Sequence, residues 1–188
     1  MTAAVTHKAH ASRELTLMQT HNDYFNFQTG DTHHEDSGEI QLVSFFLGEE
    51  EFGADILMVQ EIIRMQPITR VPNAPHFVEG VINLRGKVIP IVDLRKRLHV
   101  TSAEDPRRIR IIVVDVQGKI TGFIVDSVSQ VLRISKSTIE PAPSIVMTAI
   151  DSDYITGVSK LNDKLLIILD FNNILTKGEQ KKLVEVAA

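Results

Sequence analysis

The chain contains no cysteine and no tryptophan. Without cysteine there are no disulfides, no thiolate zinc site and no thiol nucleophile, a composition suited to a reducing cytoplasm. Aromatic residues make up only 5% of the chain and no basic excess exists, the formal charge being −4. That composition argues against nucleic-acid binding, whose affinity rests on neutralised phosphates and stacked bases. No apolar run approaches the roughly 20 residues that a membrane helix needs. The first 39 residues show no apolar run behind a basic start, so neither a secretory signal nor direct membrane insertion is expected. At 188 residues the chain is long enough for one domain, or two small lobes sharing a core, to bury about 70% of its unfolded surface without staples.

What anionic excess exists lies at one end. Residues 1–39 hold two cations and six anions, whereas the remaining 149 residues hold 18 of each sign. Residues 1–38 are rich in Thr, His, Asn, Asp and Ser and carry five of the seven histidines. They hold too little apolar material to offset ordering entropy and are expected to be a disordered N-terminal extension. Two short apolar islands, Leu15-Thr16-Leu17-Met18 and Tyr24-Phe25-Asn26-Phe27, are of a kind able to fold on a partner. The run Asp31-Thr32-His33-His34-Glu35-Asp36 offers imidazole and carboxylate ligands. Adjacent histidines on regular structure cannot both face one ion, so a solvated acidic run is the simpler reading and no metal site is expected.

From Glu39 onward the apolar period is two. Ile40–Leu47, Phe52–Ile56 and Val59–Arg64 read as strands, with a polar turn at Gly48-Glu49-Glu50-Glu51 and a loop at Asn73-Ala74-Pro75. A hairpin pattern then recurs three times: VINLRGKVIPIVD (81–93), IIVVDVQGKITGFIVD (111–126) and ITGVSKLNDKLLIILD (155–170). Each copy has an apolar strand, a turn ending in lysine, a second apolar strand and an aspartate. Arg85-Gly86, Gln117-Gly118 and Asn162-Asp163 tolerate the positive φ angles of tight hairpins. Asp93 and Asp170 precede short helical patterns and read as N-caps. Pro90 cannot donate to a ladder and is expected at an edge or a bulge. Strands apolar on both faces suggest closure into small barrels rather than a flat sheet. The class is therefore mainly β with few short helices, two copies of a small barrel fitting the length, and a last helix over Gly178–Val186.

Each candidate chemistry has a plainer reading. Arg85-Gly86-Lys87 lacks the second glycine, the hydroxyl and the following helix of a phosphate loop. Beyond the N-terminal stretch the only histidines are His76, in a proline loop, and His99, after the Leu94–Leu98 turn; no GxSxG elbow accompanies them, and no catalytic residues are assigned. Residues 85–110 hold eight cations (Arg85, Lys87, Arg95, Lys96, Arg97, Arg107, Arg108, Arg110) against three anions. This segment reads either as a docking patch for an acidic protein surface or as a solvated face. Glu61 stands in Val59-Gln60-Glu61-Ile62-Ile63, where alternation places it on the face of Val59 and Ile63 and leaves it needing a partner. Paired with Arg85 on an exposed face, it would contribute little stability and much register to a docking surface.

These residues also carry a resemblance. Phe52-Gly53-Ala54-Asp55-Ile56, Val59-Gln60-Glu61-Ile62-Ile63, Ile68–Pro75, Gly80–Gly86 and Val88–Arg95 resemble CheW, the bacterial chemotaxis coupling protein family. So do Gly122–Val128, Ile139–Pro143 and Leu166–Asp170, so that the likeness spans about residues 40–176. It implies two five-stranded SH3-like β-barrels packed on a common core over 39–176, followed by a C-terminal helix or tail over 177–188. It implies no enzyme and no cofactor. It implies an adaptor between methyl-accepting chemotaxis receptors and the histidine kinase CheA, cytoplasmic and recruited to membrane-associated receptor arrays, with higher-order assembly. Val59, Glu61, Gly80 and Arg85 fall where the family contacts receptor or kinase, and the family pattern pairs Glu61 with Arg85. The chain departs at Ala54, where a larger aliphatic is usual, and in its long N-terminal extension. An adaptor for a chemosensory system controlling pili or gene output is the alternative within the family. An OB-like oligonucleotide-binding barrel is the alternative outside it, disfavoured by the neutral core and the scarce aromatics.

Overall fold

The computed structural model describes residues 38–101, 105–143, 152–161 and 164–187. The expected N-terminal extension, but for Gly38, and the histidine–carboxylate run at 31–36 lie outside them. Eleven strands are described: β1 (Glu39–Leu47), β2 (Glu50–Asp55), β3 (Val59–Arg64), β4 (Val78–Leu84), β5 (Lys87–Asp93), β6 (Arg110–Val116), β7 (Lys119–Val125), β8 (Ser127–Ser135), β9 (Ile139–Glu140), β10 (Ile155–Leu161) and β11 (Lys164–Leu169). The helices are α1 (Leu94–Arg97) and α2 (Lys177–Ala187).

The strands form two sheets, ordered β8-β1-β2-β11-β10-β9 and β3-β6-β7-β5-β4. Each closes through its own chain. In the first, β8 passes through a 3-10 turn (Lys136–Thr138) straight into β9 at the opposite end of the sheet. In the second, the chain beyond β3 returns at Thr69 to bridge Val81 of β4 by two 2.9 Å backbone bonds. Each barrel thus has five full strands plus a closing segment, the two-residue β9 in one and Thr69 in the other.

The pairings also show that the chain is two similar halves with strands exchanged. Each half runs hairpin, crossing strand, closing segment, hairpin: β1-β2, β3, Thr69, β4-β5, and then β6-β7, β8, β9, β10-β11. Yet β3 pairs with β6 rather than β1, and β8 pairs with β1 rather than β6. The parallel pairs that complete the barrels are crossed too, β5 with β7 and β11 with β2. Each barrel therefore takes its first hairpin from one half and everything else from the other. Matching details confirm the equivalence. A register shift falls between Val78 and Gly80 in one half and between Ile155 and Gly157 in the other. The Asp93 N–H donates to the Phe77 carbonyl as the Asp170 N–H does to that of Tyr154, both at 2.8 Å.

This arrangement explains strands that are apolar on both faces. Ile111 and Val113 point into the second barrel with Ile82, Ile89, Ile91 and Ile124. The alternate residues Ile112 and Val114 face a larger core between the barrels, where Phe45, Leu47 and Phe52 of the first meet Val92, Phe123 and Val125 of the second. Ala54 is fully buried in that shared core. Each large aliphatic or aromatic side chain buried there contributes about 1.5–3 kcal/mol.

Three sequence expectations are corrected. Pro90 lies in β5, an interior strand. Both backbone groups of its partner Val81 are bonded to Thr69, so the proline ring nitrogen faces away from β4. On that side β5 pairs with β7 only from Ile91 onward, and no donor is needed. Asp170 caps a turn rather than a helix, accepting from the Asn172 N–H at 2.9 Å, whereas Asp93 does cap α1. The last helix begins at Lys177, one residue earlier than expected, because Thr176 and Glu179 form a reciprocal cap: the Thr176 N–H donates to Glu179 Oε2 (2.7 Å) and the Glu179 N–H to Thr176 Oγ1 (3.3 Å).

Candidate interaction surface

Arg85 occupies the tip of the β4–β5 hairpin. It and Gly86 have φ of 53° and 85°, the left-handed pair of a type I′ turn, and Asn83 Oδ1 accepts from the Gly86 N–H at 2.8 Å. The β6–β7 turn repeats this chemistry with Gln117, Gly118 and the carboxylate of Asp115. At Arg85 the turn holds a side chain out from the barrel, 80% exposed, with Nη2 2.8 Å from Glu61 Oε2. The Glu61 side chain is 22% exposed. An ion pair this open to water contributes about 0–1 kcal/mol. Its geometric content is larger: it ties the hairpin tip to β3, from the other end of the sheet.

Alternation alone misplaced Val59. The β3–β6 register shifts between Val59 and Glu61, so that Val59 lies opposite Val114 and Glu61 opposite Val113. Gln60 is the extra residue of a bulge. Glu61 and Ile63 therefore lie on the second-barrel side of β3, while Val59 packs toward the shared core. Gly80 is buried and has φ 143°. A Cβ there would sit 2.1 Å from the Thr69 carbonyl oxygen, so it permits the bridge that closes the barrel. Of the four sequence-selected residues the structure brings two, Glu61 and Arg85, into direct contact; Gly80 permits the closing bridge and Val59 packs against the shared core. Two residues before Val59 in the chain, Leu57, in a 3-10 turn capped by Asp55, is 80% exposed.

The basic segment resolves into internal bonds. Arg95 chelates Asp93 and reaches the buried Asp126; Lys96 pairs with Glu79, Arg97 with Glu179, and Arg107 with Asp105. Arg110 donates to the carbonyls of Arg107 and Ile109. Hydrogen bonds from Asp93 raise the Arg95 pKa above its ordinary value against the opposing effect of burial, with the charges of Asp93 and Asp126 adding to the rise. A group raised in this way contributes fully below its unfolded pKa, so Arg95 stays charged at any physiological pH. Arg107 holds the exposed Asp105 carboxyl below its usual range.

Sequence reasoning missed an apolar cleft of about 480 Å3 where β5 and β7 diverge. Val88, Pro90 and Ile120 line it from the barrel, and Leu175 and Leu183 from the C-terminal segment. The signal was Pro90, which marks where strand pairing stops. His76 and His99 stack at 6.3 Å on the surface with no hydroxyl bonded to either among the described residues. The Arg85 turn leads into a strand, and no cluster of three or more metal-ligating side chains occurs among the described residues. No helix there is long and apolar enough to cross a membrane.

Two interleaved small barrels around one shared core, with an exposed ion pair at a hairpin tip, define the class as a double-barrel β module. The family model for the CheW-like domain matches residues 41–179. The chemotaxis protein CheW of Klebsiella aerogenes is 37% identical over 147 residues, spanning 78% of this chain and 88% of that protein. The CheW of Treponema pallidum is 35% identical over 152 residues, spanning 79% and 89%. The crystal structure of the scaffolding protein TtCheW from Thermoanaerobacter tengcongensis superposes with a TM-score of 0.71 at 37% identity, covering 80% of this chain and 96% of that one. The chain belongs to the CheW family, and its two closed sheets are SH3-like barrels.

Proposed function

We propose that this chain is a non-catalytic adaptor of chemotaxis signalling that couples the cytoplasmic tips of methyl-accepting receptors to the histidine kinase CheA. It acts at the cytoplasmic face of receptor arrays. Val59, Glu61, Gly80 and Arg85 mark the contact region. The observation that carries this reading is the Arg85–Glu61 pair. A side chain 80% exposed is held at 2.8 Å by a carboxylate from another strand, on a turn whose positive φ costs backbone strain. An exposed pair adds little to stability, and a pre-set charge on a docking face fixes register and rejects wrong partners. Family membership supports the system, with one relative named a chemotaxis protein and one solved neighbour a scaffolding protein.

The test is a charge swap. Arg85→Glu should leave thermal unfolding nearly unchanged while lowering receptor-dependent kinase stimulation about tenfold or more, the range of a typical coupling energy. Adding Glu61→Arg restores the pair in reverse; partial recovery supports a coupled contact, and a strictly additive double mutant speaks against it. Collapse of the fold in the single mutant would make Arg85 structural and sink the reading.

A further inference from the structure

Helix α1 is a single turn belonging to the first half of the chain, yet both of its arginines grip the other half. Arg95 donates from Nε and Nη2 to the two Asp93 oxygens (2.9 and 2.6 Å) and from Nη1 to Asp126 Oδ1 (3.1 Å). Asp126 is fully buried where the chain leaves the second barrel for the first. Its other oxygen accepts from the Gly48 N–H in the β1–β2 turn (2.7 Å), and its own N–H donates to the Phe46 carbonyl (3.1 Å). One guanidinium thereby links barrel two to the turn of barrel one.

Arg97 is placed more centrally. Its guanidinium lies 5.6 Å from the Phe77 ring centroid and 5.4 Å from that of Tyr154. Phe77 and Tyr154 are equivalent residues of the two halves, each accepting from the aspartate that ends the following hairpin. Nε donates to the Ile174 carbonyl at 2.9 Å, and Nη2 lies 3.8 Å from Glu179, the residue that caps α2. Counting from Asp93 and Asp170, Ile174 is the counterpart of Arg97 and Asn172 that of Arg95. The repeat therefore carries this pair of arginines once, astride the line relating its halves.

We propose that Arg95 and Arg97 are positioning residues, a brace that fixes one barrel against the other and against α2, and so holds the partner-facing surfaces in the geometry that transmits a signal. The second clause rests on the adaptor reading; the first does not. Apolar burial in the shared core supplies cohesion but is non-directional. Guanidinium forks and cation–π stacking are directional. Buried ion pairs add little net stability relative to apolar replacements, and fixing register is their best-attested use.

The absence of cysteine makes the test clean. Arg64→Cys on β3 and Arg133→Cys on β8 place one spin label on an exposed position of each barrel. Electron–electron distance distributions are compared in this background with Arg95→Lys, which keeps the charge without the fork, and with Arg97→Met, which keeps an unbranched apolar stem and removes the guanidinium from the two rings and the Ile174 carbonyl. Thermal unfolding confirms that each variant folds. The expected result is one narrow distribution in the parent and a broadened one in each variant, with receptor-dependent kinase stimulation down about tenfold while kinase affinity alone holds. Unchanged distributions in both variants would show that the core alone orients the barrels and overturn the brace. Broadened distributions with full stimulation would overturn its signalling role. If the parent gives no stimulation, the adaptor reading fails, and the distances still decide the brace.

Discussion

An alanine methyl at position 80 would lie 2.1 Å from the Thr69 carbonyl oxygen and 2.9 Å from Ile68 Cγ2, on a backbone already at φ 143°. No rotamer relieves this, because the obstacle is main chain. Gly157 stands at the equivalent place in the other half, its Cβ position 2.7 Å from the Glu140 carbonyl oxygen. Gly86 is the contrast: φ is 85°, but nothing lies within 4 Å. Gly80→Ala should therefore destabilise by about 2–4 kcal/mol, through overpacking and strain, and Gly86→Ala by about 1 kcal/mol, the cost of a left-handed residue. Urea unfolding measures both. Binding lost in Gly80→Ala then reflects an opened barrel. Binding lost with unchanged stability would instead make Gly80 a contact in its own right. The Arg85–Glu61 pair differs, since both partners were selected from sequence and the structure joins them at 2.8 Å. Residue type and local pattern exposed the pair, but they could not show the bulge at Gln60 that turns Val59 to the shared core.

At the scale of elements, what was legible follows sequence distance. The hairpins were readable because turn chemistry is local: in β4–β5 and β6–β7 glycine holds the second turn position, and a carboxamide or carboxylate three residues before it accepts its N–H at 2.8 or 2.7 Å, while the Asn162-Asp163 turn of the third lies outside the described residues. Helix α2 was readable to within one residue, and the Thr176-Lys177-Gly178-Glu179 spacing held the missing cap. The partners of β3 and β8 were not readable. A crossing strand of the right length and polarity pairs equally well on paper with either hairpin, and only packing across the whole chain selects one. The cap makes a separable prediction. Thr176→Ala should cost about 1 kcal/mol, and hydrogen exchange should speed up at the α2 amides while those of β6 and β7 hold. Uniform loss of protection would instead mean that α2 is part of the cooperative core through Leu183, which is 4% exposed.

For the whole molecule, interleaving makes the two halves mutually dependent. A chain cut after Thr101 yields a first fragment with β1 to β5 and a second with β6 to β11. The first fragment has the β1–β2 hairpin but not the β8 and β11 that flank it, and β3, β4 and β5 without the β6–β7 hairpin that joins them. The second lacks the complementary pieces. Neither fragment can close a barrel in its own chain order, and each would expose residues such as Phe45 or Ile112 that are fully buried when the halves are joined. Mixing the two should restore strand signal and a cooperative melt, with a midpoint that rises with fragment concentration because folding has become association. Self-pairing of the first fragment, its hairpin standing in for β6–β7 of a second copy, would also be exchange, and sedimentation would show a folded homodimer. A folded monomer of either fragment would overturn the account, since a half that closes alone does not need the crossing strands. The same dependence bears on signalling. With the β6–β7 hairpin of the second half built into a sheet that is otherwise β3, β4 and β5 of the first, a displacement at the face proposed for docking, Arg85–Glu61, would be carried by covalent chain as well as by packing into both barrels, whereas two beads on a linker would let such faces move independently.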